Sequence, residues 1–68
     1  MRTGTVYTET IVHLAPTRFA ADVPYQVAIV TLDGGERLTA RIEGDRVAID
    51  DSVIEAESRD GIPFFRKS

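Results

Sequence analysis

The stretch from Pro24 to Ile42, PYQVAIVTLDGGERLTARI, decides the fold. Residues 25–32 are the most apolar segment of the chain, and proline is tolerated directly before or at the first residue of a strand. Asp33-Gly34-Gly35 supplies residues that accept a positive φ, and the sequence then alternates strictly between polar and apolar side chains. The stretch therefore predicts a central strand that continues into a β-hairpin. The second strand of this hairpin turns Leu38, Ala40 and Ile42 inward and Arg37, Thr39 and Arg41 outward.

The segment before the hairpin predicts a long first strand. Residues 5–14, TVYTETIVHL, are dense in β-branched and aromatic side chains. Apolar residues occupy both alternating positions, so we expect the strand to bend, with Gly4 at a bulge or at a close approach of another backbone. Residues 15–24 contain two prolines and are typical of a connecting loop, from which Phe19 is expected to contact the core.

The segment after the hairpin predicts further short strands separated by turns. Residues 47–49 predict a brief extended piece, residues 53–58 a fourth main strand and residues 62–65 the last strand. No apolar spacing is long enough for a full helix. Five strands in 68 residues bury their inner faces only by closing up, which favours a small barrel over a sandwich. The predicted fold class is all-β, a five-stranded OB-type barrel rather than an SH3-like one, with residues 1–68 as a single domain.

Composition excludes several classes of protein. The chain has no cysteine, which removes disulfides and thiolate zinc ligands, and no apolar stretch approaches the roughly 20 residues needed to span a bilayer. The first residues carry no apolar signal segment, so a cytoplasmic location is expected. Eleven acidic against eight basic residues give a net charge of −3, which argues against nucleic acid as the main partner. A local arginine patch stays open as an alternative.

Residues that could carry catalysis or bind a metal are sparse. His13, the single histidine, lies in mid-strand without a motif around it and is expected to be a strand residue at the surface or core edge. Gly34-Gly35 is not followed by the Gly-Lys-Ser/Thr of a phosphate loop. We therefore predict a non-catalytic binding domain without metal or cofactor. Four carboxylates that lack the ligand order of a calcium loop are predicted to be solvated: Asp45, Asp50, Asp51 and Glu55.

Two arginines on one strand face are the chief candidates for binding. Arg37 and Arg41 point to the same side with Thr39 between them, which fits either a solvated barrel exterior or a face that contacts an anion. Aromatic side chains in so small a domain are typical of the core, but they could instead stack on a base in an oligonucleotide-binding barrel. These are Tyr7, Tyr25, Phe64 and Phe65.

The hairpin also resembles a known family. Residues 24–41, PYQVAIVTLDGGERLTAR, look like the signature of the OB-fold, acyl-CoA-associated family, also called domain of unknown function thirty-five. Residues 4–13 are similar to that family's opening strand, and residues 60–66 to its closing strand. The sequence departs from the family at residues 49–53 (IDDSV), where members usually have a glycine-containing start of the fourth strand. It also lacks the four cysteines of the family's zinc ribbon, as expected of a stand-alone variant, an excised domain or a chain whose ribbon lies on a partner.

The resemblance implies a function. Members of the family accompany thiolase-like or ketoacyl synthase-like enzymes, so the resemblance implies an accessory domain that helps to hold a CoA thioester. Tyr25, Arg37 and Arg41 are the candidates for contact with CoA or with the partner enzyme, because the signature and the outward positions coincide there. Two alternatives remain open: an oligonucleotide-binding OB module and a purely structural interaction domain.

Overall fold

The computed structural model describes residues 1–14, 21 and 23–68, which form a closed five-stranded barrel. The order of neighbours is β1-β2-β3-β5-β4, and β4 closes the barrel against β1. All pairs are antiparallel except β3 and β5, which are parallel. The described residues contain no α-helix, and this confirms the prediction of an all-β OB-type barrel. The strands are β1 (Thr3–Val12), β2 (Tyr25–Leu32), β3 (Arg37–Ile42), β4 (Ser52–Arg59) and β5 (Ile62–Lys67).

The predicted hairpin is β2 and β3. Their register pairs Thr31 with Arg37 and Gln26 with Ile42, and β2 lies between β1 and β3 as the predicted central strand. Alternate β2 residues are buried, as are Ala40 and Ile42 of β3. The hydrophobic core draws on every strand and on one connection: Val6, Ala28, Val30, Ala40, Ile42, Val47, Val53 and Phe65.

A bulge at Tyr7 explains why β1 carries apolar residues on both parities. The pairing with β2 passes from Val6–Val30 directly to Thr8–Ile29, so Tyr7 is the extra residue. Before the bulge even-numbered side chains face the core, and after it odd-numbered ones do. Gly4 is the predicted close approach, because a Cβ on it would lie 2.5 Å from the carbonyl oxygen of Thr31.

Some predicted boundaries were wrong. β1 ends at Val12 instead of residue 14, and Leu14 is 92% exposed because it has passed the end of the barrel. Residues 47–49, the predicted brief extended piece, belong to none of the five strands. The backbone of Val47 bonds to the buried side-chain amide of Gln26 and not to a neighbouring strand. The expected core contact of Phe19 lies outside the described residues.

Candidate functional site

The outward side chains of β1, β2 and β3 form one continuous surface, which we call the outer face. Strand register defines its rows: Thr5, Thr31 and Arg37 lie side by side, and Thr10, Val27 and Arg41 form a second row. Threonines and short apolar side chains occupy its middle, and an arginine lies at each end of β3. With about 3.3 Å per residue, the Cα atoms of these two arginines are about 13 Å apart. The members are Thr3, Thr5, Tyr7, Thr8, Thr10, Val12, Tyr25, Val27, Ile29, Thr31, Arg37, Thr39 and Arg41.

One end of the outer face is a stack of arginines and aromatic rings. The guanidinium carbon of Arg41 lies 4.0 Å from the ring centroid of Tyr25 and 5.1 Å from that of Phe64. Arg59 of β4 approaches the same Phe64 ring at 4.1 Å. Arginine favours such positions because its planar, weakly hydrated cation is attracted to the ring face. Phe64 is only 6% exposed although it does not belong to the core cluster, because these arginines cover it from outside.

Carboxylates hold the outermost arginine of this stack. The Nε of Arg59 lies 3.1 Å from Glu57, and a terminal nitrogen of the same guanidinium lies 3.6 Å from Glu43. Arg59 thus covers Phe64 and is partly neutralised by two acids. This end of the face is a packed structural element.

The other end of the outer face is simpler and more open. The guanidinium carbon of Arg37 lies 3.9 Å from the ring centroid of Tyr7, and its Nε donates a hydrogen bond to the Thr31 hydroxyl at 3.3 Å. The bulge places Tyr7 here, and this residue remains 52% exposed. Arg37 is exposed as well.

A shallow depression lies between the two ends. It encloses about 250 Å³. Its floor is mainly aliphatic, from Val27 and Ile29, and threonine side chains surround it. The lining residues are Thr8, Glu9, Thr10, Val27, Ala28, Ile29 and Thr39.

The three candidates from the sequence all lie on this face. The structure brings Tyr25 and Arg41 into contact and places Arg37 at the opposite end of β3. Sequence reasoning did not identify Tyr7 and Phe64 as the ring partners of the arginines. Only the strand register reveals them, since the bulge moves Tyr7 and the parallel pairing sets Phe64 beside Arg41.

The four acidic residues singled out from the sequence do not converge on one point. Asp51 accepts a hydrogen bond from the Ala48 amide at 2.8 Å and lies 3.7 Å from Lys67. Glu55 lies 2.7 Å from Arg2, whose side-chain hydrogen bond, together with one from the Arg2 main-chain amide, lowers the pKa of Glu55. Within the described ranges, no three carboxylate or imidazole groups are placed to hold a metal ion. His13 is exposed just beyond β1.

The chain is similar in sequence to known proteins. Residues 1–56 match the family described as the C-terminal OB-fold domain of ChsH2. The chain is also 46% identical over 39 residues to a "DUF35 domain-containing scaffold protein" of Methanocaldococcus jannaschii. That alignment spans 57% of this chain and 28% of the relative.

A solved structure has the same fold. A chain of the "Ltp2-ChsH2(DUF35) aldolase" superimposes with a TM-score of 0.76 at 32% sequence identity. The superposition covers 97% of this chain and 57% of the solved one. This chain therefore spans little more than half of that protein, and about a quarter of the curated relative. Among the described residues, no helix is long and apolar enough to cross a membrane.

Proposed function

The chain belongs to the family of ChsH2 C-terminal OB-fold domains, and from this membership we propose that it is an accessory module that docks onto a thiolase-like or ketoacyl synthase-like condensing enzyme. The module itself supplies no catalytic group. Its relatives support this role, since one is described as a scaffold protein and the other as an Ltp2-ChsH2 aldolase. Residues 1–68 would serve as one such module.

The observation that carries the proposal is the composition of the outer face. Its thirteen members include two arginines and no carboxylate, on a chain whose net charge is −3. A positively charged, partly apolar sheet face is suited to an enzyme surface of opposite charge, because complementary potentials direct association and fix its register. We propose that Tyr25, Arg37 and Arg41 lie in this contact or beside it.

The finer part of the proposal concerns a CoA thioester. We propose that the module borders the channel in which the partner enzyme holds its CoA substrate. The two arginines of the outer face support this part through their positive potential, which favours an anionic substrate nearby without requiring a direct bond to its phosphates.

Affinity capture tests the main proposal. The tagged chain would be incubated with an extract of its host, and the retained proteins identified by mass spectrometry. We expect a thiolase-like or ketoacyl synthase-like enzyme in stoichiometric amount. Capture of no such enzyme at low ionic strength would contradict the proposal.

Thermal unfolding tests the finer part. Addition of acetyl-CoA to the captured complex should raise its melting temperature, because a ligand that binds only the native state stabilises that state. The matched control is acetyl-CoA added to the partner enzyme alone. An equal shift in both samples would mean that the module does not contribute to CoA binding.

An oligonucleotide-binding role has less support from the structure. Stacking on bases needs accessible rings, but Phe65 is fully buried and Phe64 is covered by arginines. Tyr25 is half-buried and already stacked with Arg41, so Tyr7 is the one exposed ring of the four candidates. A labelled single strand that bound tightly, with affinity falling steeply as salt increased, would favour that role over the accessory one.

A further inference from the structure

The two arginines of the outer face differ in how much of their binding capacity the fold already uses. Arg41 is half-buried in the stack with Tyr25 and Phe64. Arg37 is exposed, and its side-chain contacts are the Tyr7 ring and the Thr31 hydroxyl. Across residues 1–14, 21 and 23–68, no carboxylate lies within 4.0 Å of the Arg37 guanidinium, whereas Arg2 has one such partner and Arg59 has two.

Two local contacts orient the Arg37 side chain before any partner binds. The guanidinium carbon lies over the Tyr7 ring, and the bond from Nε to Thr31 limits the rotation of the group. These contacts involve the ring and Nε, and among the described residues the two terminal nitrogens bond to no acceptor. A fixed guanidinium loses less conformational entropy on binding than a free one.

We propose that Arg37, supported by Tyr7, is the anchor of the outer face and pairs with a carboxylate of the docked enzyme, while the stack around Arg41 is structural. This inference rests on the proposed function and names the chemistry of the partner surface. The two terminal nitrogens of one guanidinium match the two oxygens of one carboxylate. The partner residue beside that carboxylate is apolar and fills the depression over Ile29 and Val27.

The surroundings of Arg37 favour a carboxylate over a phosphate. A phosphate group carries up to two charges and is typically held by several cations or by a group of backbone amides. Arg37 lies on a regular strand, and the other arginine of the face is about 13 Å away along β3. Its nearest polar neighbours in the row are the uncharged Thr31 and Thr5. The single positive charge of Arg37 therefore matches the single negative charge of a carboxylate.

Titration of the isolated chain tests the anchor without the partner. The probe is acetyl-leucyl-aspartyl-amide, which carries both the carboxylate and the apolar group, and binding would be followed by NMR of the ¹⁵N-labelled chain. We expect saturable shifts at millimolar concentration for the Nε–H of Arg37 and the amides of Tyr7 and Ile29. The asparaginyl analogue should leave these signals unchanged, and Arg37→Gln should abolish the shifts, whereas Arg66→Gln should not.

Three results would contradict the assignment of Arg37 as the anchor. The first is an absence of localised shifts with the acidic dipeptide, and the second is an equal response to the asparaginyl analogue. The third is stronger binding of inorganic phosphate than of the dipeptide at the same signals, which would reassign Arg37 to a phosphate ligand.

Capture of the partner enzyme separates this inference from the proposed function. Arg37→Gln should weaken binding of the enzyme about tenfold or more, because it leaves the partner's carboxylate unpaired in the interface. Arg37→Lys should restore part of the loss through its charge. Full capture by Arg37→Gln would overturn the anchor and leave the accessory role intact. If the wild-type chain captures no condensing enzyme, the accessory role fails and the dipeptide titration alone decides the carboxylate preference.

Discussion

The side chain of Gln26 and the main chain of Val47 form two hydrogen bonds in the interior of the barrel. Gln26 Nε2 donates to the Val47 carbonyl at 2.7 Å, and the Val47 amide donates to Gln26 Oε1 at 2.8 Å. Gln26 Nε2 also donates to Glu9 at 3.0 Å. A side-chain amide here takes the place of a neighbouring strand, so Val47 can enter the core from a connection that has no regular structure.

Replacement of Gln26 should therefore destabilise the barrel. Gln26→Met has similar volume but leaves the Val47 amide and carbonyl buried without partners, and each unsatisfied group costs about 1–3 kcal/mol. We expect a loss of about 2–5 kcal/mol in the free energy of unfolding, measured by urea denaturation followed by circular dichroism. Gln26→Glu retains the acceptor for the Val47 amide but sets a buried carboxylate against the Val47 carbonyl and Glu9, so at neutral pH it should destabilise the barrel at least as much as Gln26→Met. A loss below about 0.5 kcal/mol for Gln26→Met would mean that the pair is not structural.

Gly4 and Gly34 provide a matched pair of glycine substitutions. A Cβ at Gly4 would lie 2.5 Å from the Thr31 carbonyl oxygen and 2.7 Å from Val30 Cγ1, whereas a Cβ at Gly34 meets no atom within 4 Å. Gly4→Ala forces β1 away from β2 and should cost about 1–3 kcal/mol or more in unfolding free energy. Gly34→Ala should be neutral or stabilise by up to about 1 kcal/mol, since it restricts the unfolded chain. Equal effects of the two changes in thermal unfolding would contradict the close approach.

The comparison of sequence with structure shows which features local patterns encode. The Asp33-Gly34-Gly35 turn and the alternation after it predicted the hairpin and the outward positions of Arg37 and Arg41, because these signals lie in neighbouring residues. The position of Tyr7 was not predictable, because a bulge shifts the parity of β1 and becomes visible only against β2. The bond between Val47 and Gln26 was not predictable either, since 21 residues separate the two.

The ion pair between Arg2 and Glu55 should make stability depend on acidic pH. The side-chain hydrogen bond from Arg2 lowers the pKa of Glu55 in the folded state, so the pair stabilises the fold above the unfolded pKa of about 4.3. That contribution is lost as pH falls through the lower, folded pKa. The difference in melting temperature between the wild type and Glu55→Gln should therefore shrink between about pH 5 and pH 3, and should also shrink in high salt.

A suitable control for this titration is Asp45→Asn. Asp45 is exposed, and among the described residues it forms no ion pair. The difference in melting temperature between Asp45→Asn and the wild type should change less over the same pH range. If the difference in melting temperature between Glu55→Gln and the wild type stayed constant across that range, the charge of Glu55 would not contribute to stability.

A new carboxylate in the middle of the outer face should block docking without unfolding the chain. Thr39 is exposed between Arg37 and Arg41, so Thr39→Glu places a negative charge within reach of both guanidinium groups. An exposed strand position tolerates this change at a cost of about 1 kcal/mol or less. Capture of the partner enzyme should fall about tenfold or more, because like charges opposed across an interface are repulsive.

Arg46→Glu controls for net charge in that experiment. Arg46 is exposed in the connection between β3 and β4 and is not part of the outer face, and its reversal changes the net charge by two instead of one. If the outer face is the docking surface, Arg46→Glu retains capture while Thr39→Glu loses it. If overall charge governed association, Arg46→Glu would have the larger effect, since long-range attraction depends on the summed charge of the molecule. The binding assay is made at about 0.15 M salt, where the screening length is about 8 Å. Which of the two variants loses more affinity therefore distinguishes a local docking surface from a general electrostatic effect.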